Sequence, residues 1–500
     1  MKKKLIVKNV IYSIGTKMII LVLGILIPRL LIISFGSEIN GLLSTVTQIF
    51  TYLALLEAGI GNSTINALYR PLDENDYETS NKVLTEAKKY YHKVSVIYSS
   101  LIILFSIIYP FFVTSNISKG LISGIIVLQG AANFVGYYFT AVYVQLLTAS
   151  GNNYINNNIT FISYVATSII KIILILLGYN VLVVQIGFFI ISLIKIPIYK
   201  YLCYKKYPWL NFEKHSNTKY LKERGSFVVH EISTTIFNNT DVFIISTFCS
   251  LSLASVYTIY NLVFSSVGGI LGSATSGLGF LLGQSQYKEK KEFVFVYDTY
   301  SMACICASFV LFTTCYVLII PFVKLYTAGV SDIEYVIKGL PILFTLINLL
   351  SGVRVAASTL ITVSGNASHT KGRSIAETTI NLVVSVILVN IIGVEGVLWG
   401  TIVALLYRSN DMLIYSNRKI LGRSPIKEYK NILLNGVAFV CIIYLFNNLT
   451  LHINSYLDFV KYGILIFGVN FITFLSVNII CNYKLVIILL KKICLRKEKL

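Results

Sequence analysis

Leu147-Thr148-Ala149-Ser150-Gly151-Asn152 closes one long apolar run, and Ile361-Thr362-Val363-Ser364-Gly365-Asn366 closes another. The pattern T-x-S-G-N thus recurs 214 positions apart, from 148 to 362. Outward from these points the chain keeps matching itself. The run ending at Gly178 corresponds to the run ending at Gly393, and the segment with Gly59-x-Gly61 corresponds to the glycine-rich stretch 268–283. Similarity at a fixed offset signals a duplication. The offset spans six apolar runs, an even number. Both copies therefore enter a membrane from the same side and form a parallel repeat about an axis along its normal.

Apolar runs long enough to cross a bilayer fill the 500 residues, and no polar stretch is long enough for a separate soluble domain. Hydrophobic residues make up 55% and charged residues 13%, where a soluble chain shows about 25% charged. The expected fold is an all-α polytopic membrane protein with about fourteen transmembrane helices. The spans are 9–35, 39–68, 92–114, 119–148, 155–178, 181–204, 226–248, 252–283, 293–320, 334–363, 374–393, 395–416, 431–449 and 459–482. They group as an N-lobe over 1–204, a basic cytoplasmic linker over 205–225 and a C-lobe over 226–416. Two further helices and a basic tail occupy 417–500. Weak period-2 alternation argues against a β-barrel.

The formal net charge of +20 follows from sidedness. Most of the 42 Lys and Arg fall in the N-terminus, the tail and alternate linkers, whereas only Lys119, Lys324, Lys338 and Lys461 fall on the opposite side. Cytoplasmic loops carry the Lys/Arg excess, so both termini are expected in the cytoplasm, and no nucleic-acid partner is called for. The run after Met1-Lys2-Lys3-Lys4 is too long for a signal-peptide core and reads as an uncleaved first helix. The eight cysteines form no CxxC, and the five histidines show no metal-ligand spacing. No nucleotide-binding or catalytic signature appears.

Five cations lie inside the apolar runs: Lys17, Arg29, Lys171, Lys195 and Arg354. Each would cost about 2.5–3.5 kcal/mol in hydrocarbon, so they are expected to face a wet interior, a partner or an anionic ligand. Asn157, Thr160, Tyr164, Thr167 and Lys171 recur at helical spacing and form a polar stripe. A guanidinium at Arg354 suits bidentate phosphate recognition. Arg29 reads also as snorkelling outward, and Lys195, two residues before Pro197, as snorkelling inward. Glu57, Glu231 and Asp241 are the intramembrane carboxylates, read either as ion- or proton-coupling groups or as structural partners of the cations. Asp298, Glu377 and Asp411 fall near the cytoplasmic interface and read as structural.

Pro28-Arg29, Gly36-Ser37-Glu38-Ile39-Asn40-Gly41, Leu56-Glu57-Ala58-Gly59-Ile60-Gly61 and the duplicated T-x-S-G-N ends together carry a resemblance. With its helix plan, the chain resembles a Wzx-type polysaccharide repeat-unit flippase of the multidrug/oligosaccharidyl-lipid/polysaccharide exporter superfamily. The resemblance implies a non-enzymatic carrier in a bacterial cytoplasmic membrane, with two lobes about a cavity that opens alternately to each side. It implies an undecaprenyl-diphosphate-linked oligosaccharide as substrate, flipped for capsule or O-antigen export. Membrane lipids, a polysaccharide polymerase and glycosyltransferases are the implied partners. No cofactor is implied, and coupling to H⁺, Na⁺ or membrane potential stays open. A lipid II flippase and a cation-coupled multidrug exporter share the superfamily and remain alternatives. A polysaccharide polymerase, an enzyme, would need a sizeable outer loop, and no outer linker here exceeds about a dozen residues.

Overall fold

A computed structural model describes the backbone of residues 2–57, 60–212, 225–286, 289–448 and 453–489. Each of the fourteen expected spans is helical over most of its described residues, and no β-strand occurs among the described residues. Among the described residues ten helices are long and apolar enough to cross a membrane, and Ile19–Phe35 adds a shorter apolar helix. The chain divides into two compact units, Met1–Ser255 and Val256–Leu500.

The first unit holds α1 (Lys2–Phe35), α2 (Ser37–Leu53), α3 (Ile60–Asp73), α4 (Tyr77–Ile108), α5 (Lys119–Val135), α6 (Ala141–Ala149), α7 (Asn153–Leu176), α8 (Val181–Lys206) and α9 (Gly225–Phe248). It also takes the first turn of α10 (Leu251–Ser285). The expected helix over 39–68 is divided here. A 3₁₀ turn over Ala54–Glu57 separates α2 from α3, at the point where the sequence carries a carboxylate and Gly59 and Gly61 rather than good helix formers. A π-helical turn over Gly136–Thr140 joins α5 to α6.

The residues that carried the resemblance at the α1–α2 corner have local structural reasons. Gly36 takes φ 83°, which lets α1 turn directly into α2. Glu38 accepts hydrogen bonds from the backbone N–H (3.1 Å) and side-chain amide (3.2 Å) of Asn116, fixing the α4–α5 loop. Asn40 donates to Ser255 Oγ at 2.8 Å. Gly41 lies so close to the start of α10 that a Cβ would sit 1.8 Å from the Leu251 carbonyl oxygen. Backbone cannot give way as a side chain does. Gly41→Ala is therefore expected to lower stability by about 1–3 kcal/mol or more, read as a fall in detergent melting temperature; an unchanged melting curve would contradict the close approach.

The second unit continues α10 and adds α11 (Lys290–Tyr326), α12 (Leu340–Val353), α13 (Val355–Val363), α14 (Lys371–Ile392), α15 (Val394–Tyr415), α16 (Ile426–Asn447) and α17 (Tyr456–Cys481). The expected helix over 334–363 starts later, at Leu340 with a proline in its first turn, and breaks at Arg354. Gly352 packs against α11, where a Cβ would meet Ser308 Oγ at 2.3 Å. α14 and α15 approach closely because Gly396 and Gly400 face the α14 backbone and Ser385. Asn381 donates to Thr401 across the same seam at 2.9 Å. Buried asparagines join α16 to α17: Asn478 donates to Asn435 at 2.8 Å, and Asn482 to Asn431 at 3.3 Å. Asn470 ties α17 to Thr314 of α11 at 2.9 Å.

The duplicated motif is a helix C-cap built twice. Gly151 and Gly365 take φ 73° and 71°, the left-handed conformation that favours glycine. Their N–H groups donate to the carbonyls of Thr148 and Thr362, each at 3.1 Å. Asn152 and Asn366 each donate from the side-chain amide to the serine carbonyl two residues back, also at 3.1 Å. A tyrosine hydroxyl then meets each asparagine, Tyr207 at 2.9 Å and Tyr415 at 3.3 Å. Gly178 and Gly393, the other matched ends, also have positive φ.

Candidate functional site

In the first unit, the polar stripe lies on α7. Asn157 and Thr160 are exposed, and Tyr164, Thr167 and Lys171 are half-buried. α1 packs along α7, and a Cβ at Gly24 would lie 3.7 Å from the Tyr164 hydroxyl. Both helices cross in the same direction by the order of the expected spans. Arg29 and Lys171 lie roughly one and a half and two turns beyond that contact, so two cations stand at one level of adjoining helices. The Lys171 ammonium sits 4.8 Å from the centre of the Phe188 ring on α8. Among the described residues no carboxylate pairs with Lys171, nor with Lys195, which is half-buried on α8.

Glu57 ends the 3₁₀ turn and accepts a hydrogen bond from the fully buried Tyr91 hydroxyl at 3.0 Å. Gln145 donates to the same hydroxyl, also at 3.0 Å. The intramembrane carboxylate is thus held in a hydrogen-bonded chain from α4 and α6. Asp241 on α9 is buried beside Thr240, which shares a 2.5 Å hydrogen bond with the Tyr52 hydroxyl of α2. The side chains of Lys17 and Glu231 lie outside the described residues.

In the second unit, Arg354 stands at the break between α12 and α13, in an arginine–carboxylate chain. Its Nη1 lies 2.5 Å from Glu377 Oε1 on α14. Glu377 Oε2 lies 3.5 Å from Arg408 Nε on α15. Arg408 reaches Asp411 at 2.6 Å and donates to Ser374 Oγ at 3.1 Å. Arg373 closes the chain on Asp411 at 2.8 Å, its guanidinium 5.0 Å from the Tyr415 ring centre. Arg408 is 1% exposed, the largest fully buried side chain among the described residues.

Loop charge tallies miss Arg408, because they count it with the cytoplasmic cations after α15. Its signal is the Asp411 three residues on, a spacing that puts both on one helix face. A second network at the α15–α16 corner joins Arg423 to Asp298 at 2.6 Å and Lys427 to Asp298 at 2.6 Å. Burial lowers the Arg423 pKa, but hydrogen bonding and pairing with Asp298, and the nearby Glu428, outweigh it and leave the pKa raised. These salt bridges fit the structural reading of Asp298, Glu377 and Asp411.

The architecture has counterparts of known structure. Lipid II flippase MurJ in an inward closed conformation superposes with a TM-score of 0.70 at 16% identity, over 94% of this chain and 99% of that one. An inward-facing multidrug resistance MATE family transporter of the MOP superfamily gives 0.62 at 14% identity, over 85% and 96%. A MOP superfamily transporter from Pyrococcus furiosus gives 0.54 at 15% identity, over 82% and 94%. No protein-family model matches the chain, and no curated protein does. The chain has the fold of these transporters. That likeness shows the architecture, and a fold does not fix what its residues bind.

Proposed function

We propose that this protein flips undecaprenyl-diphosphate-linked oligosaccharides from the inner to the outer leaflet of a bacterial cytoplasmic membrane by alternating access. The observation that carries this reading is Lys171. A cation is held within a span against an aromatic ring, with no carboxylate partner among the described residues, and Arg29 stands at its level on α1. A diphosphate suits such a site, and a cationic drug does not. The fold shared with a lipid II flippase over nearly the whole chain supports a lipid-linked cargo. That likeness also favours lipid II itself as a second reading, since any prenyl-diphosphate headgroup presents the same charge.

The test is flipping in reconstituted vesicles. Lipid-diphosphate-oligosaccharides, lipid II and cationic dyes are compared at equal concentration. The proposal expects the oligosaccharide-lipid to move fastest. Faster lipid II transport selects the second reading, and transport of dyes alone refutes both. In the same assay Lys171→Ala is expected to cut the flipping rate about 10–100-fold, the worth of one charge-assisted hydrogen bond, with the protein still inserted. Lys171→Arg should retain most of it. Normal flipping in Lys171→Ala would leave the lysine a packing role beside Phe188.

A further inference from the structure

Arg354 is already occupied. Its partner Glu377 is shared between two guanidiniums of unlike character: one close and 20% exposed in its side chain, the other looser, at 3.5 Å, and 2% exposed. Arg408 cannot follow a ligand outward, because Asp411, Ser374 and the glycine-packed α14–α15 seam hold it. Arg354 sits outside regular helix, between α12 and α13. Glu377 therefore loses one partner but keeps the other if Arg354 turns to an incoming anion.

We propose that Glu377 is a resident competitor for the headgroup, setting a threshold for occupancy of Arg354 that the diphosphate of a lipid-linked substrate clears. This rests on the reading of Arg354 as a diphosphate ligand. An anion that takes Nη1 of Arg354 displaces the same carboxylate whatever its kind, so Glu377 weakens each such anion by one common factor. The factor acts as a threshold. A singly charged phospholipid headgroup, weak to begin with, falls below binding at membrane concentrations. A diphosphate, with two charges and bidentate geometry on the guanidinium plane, stays above it.

The experiment titrates geranylgeranyl diphosphate, geranylgeranyl monophosphate and inorganic pyrophosphate into the purified full-length protein. Glu377→Gln is expected to tighten all three about tenfold, leaving their order unchanged, because it removes the competitor and not a ligand. Pyrophosphate carries no chain, so its gain assigns the effect to the headgroup. On an Arg354→Ala background Glu377→Gln should give no gain. Glu377→Asp keeps a charge for Arg408 while drawing it back from Arg354, so a partial gain is expected there even if the glutamine variant folds poorly. Unchanged or weaker binding in the folded Glu377 variants overturns the competition. Wild-type affinity in Arg354→Ala overturns instead the reading of Arg354 on which it rests.

Discussion

Asp411→Ala is expected to destabilise the second unit by about 3–5 kcal/mol, and a second substitution, Arg408→Met, to restore most of that loss. Asp411 is the nearest anion to a guanidinium that is 2% exposed; without it Arg408 keeps Glu377 only at 3.5 Å. A buried charge stripped of its main partner is costly, whereas an unbranched apolar side chain of similar length needs no partner. Arg373, which also loses Asp411, is 40% exposed and stacks on Tyr415, so water compensates it. The readout is the detergent melting temperature of the wild type, the two single variants and the double. A double variant less stable than Asp411→Ala alone would mean that Arg408 holds the fold by something other than this pair.

The helices were legible in the sequence because each must satisfy its backbone within the bilayer, leaving an apolar run that nothing disguises. The duplicated cap was legible too. Its residues do the same local work twice: glycine for the left-handed turn, asparagine for the exposed carbonyl. What stayed hidden depends on contacts between helices. Gly41 reads as part of a degenerate motif until Leu251 is placed against it, and Gly396 and Gly400 read as ordinary glycines until α14 is. Arg354 reads as a lone cation because Glu377, 23 residues away, counts by position as an interfacial residue. Pairing depends on which helix faces touch, and one sequence does not carry that information. Glu57 is a middle case. Its place beside the glycines marks the interruption of the helix, but its partners Tyr91 and Gln145 come from α4 and α6.

If the proposed function holds, flipping is expected to accelerate when the membrane is energised inside-negative, with pH clamped on both sides. A diphosphate diester carries about two negative charges, and carrying them outward through the whole field gains roughly 4.6 kcal/mol per 100 mV. The site sets how much of that is realised. Arg29 on α1 and Lys171 on α7 sit at one level, so they travel together if those helices move through the field. Cations moving with the cargo cancel its charge on the loaded stroke. The potential then acts on the empty carrier, drawing its positive charges back inward and driving the reset. In either case an inside-negative potential favours outward transport, and single-turnover and steady-state rates separate the two. A single-turnover effect places the charge movement in the loaded stroke, and an effect confined to steady state places it in the return. Lys171→Met should shift the dependence toward the loaded stroke, because it removes one compensating charge. Equal rates at zero and at a physiological potential would rule out electrical driving. If only a pH or Na⁺ gradient then moved the rate, Glu57, held by Tyr91 and Gln145 in the first unit, would become the first carboxylate to test.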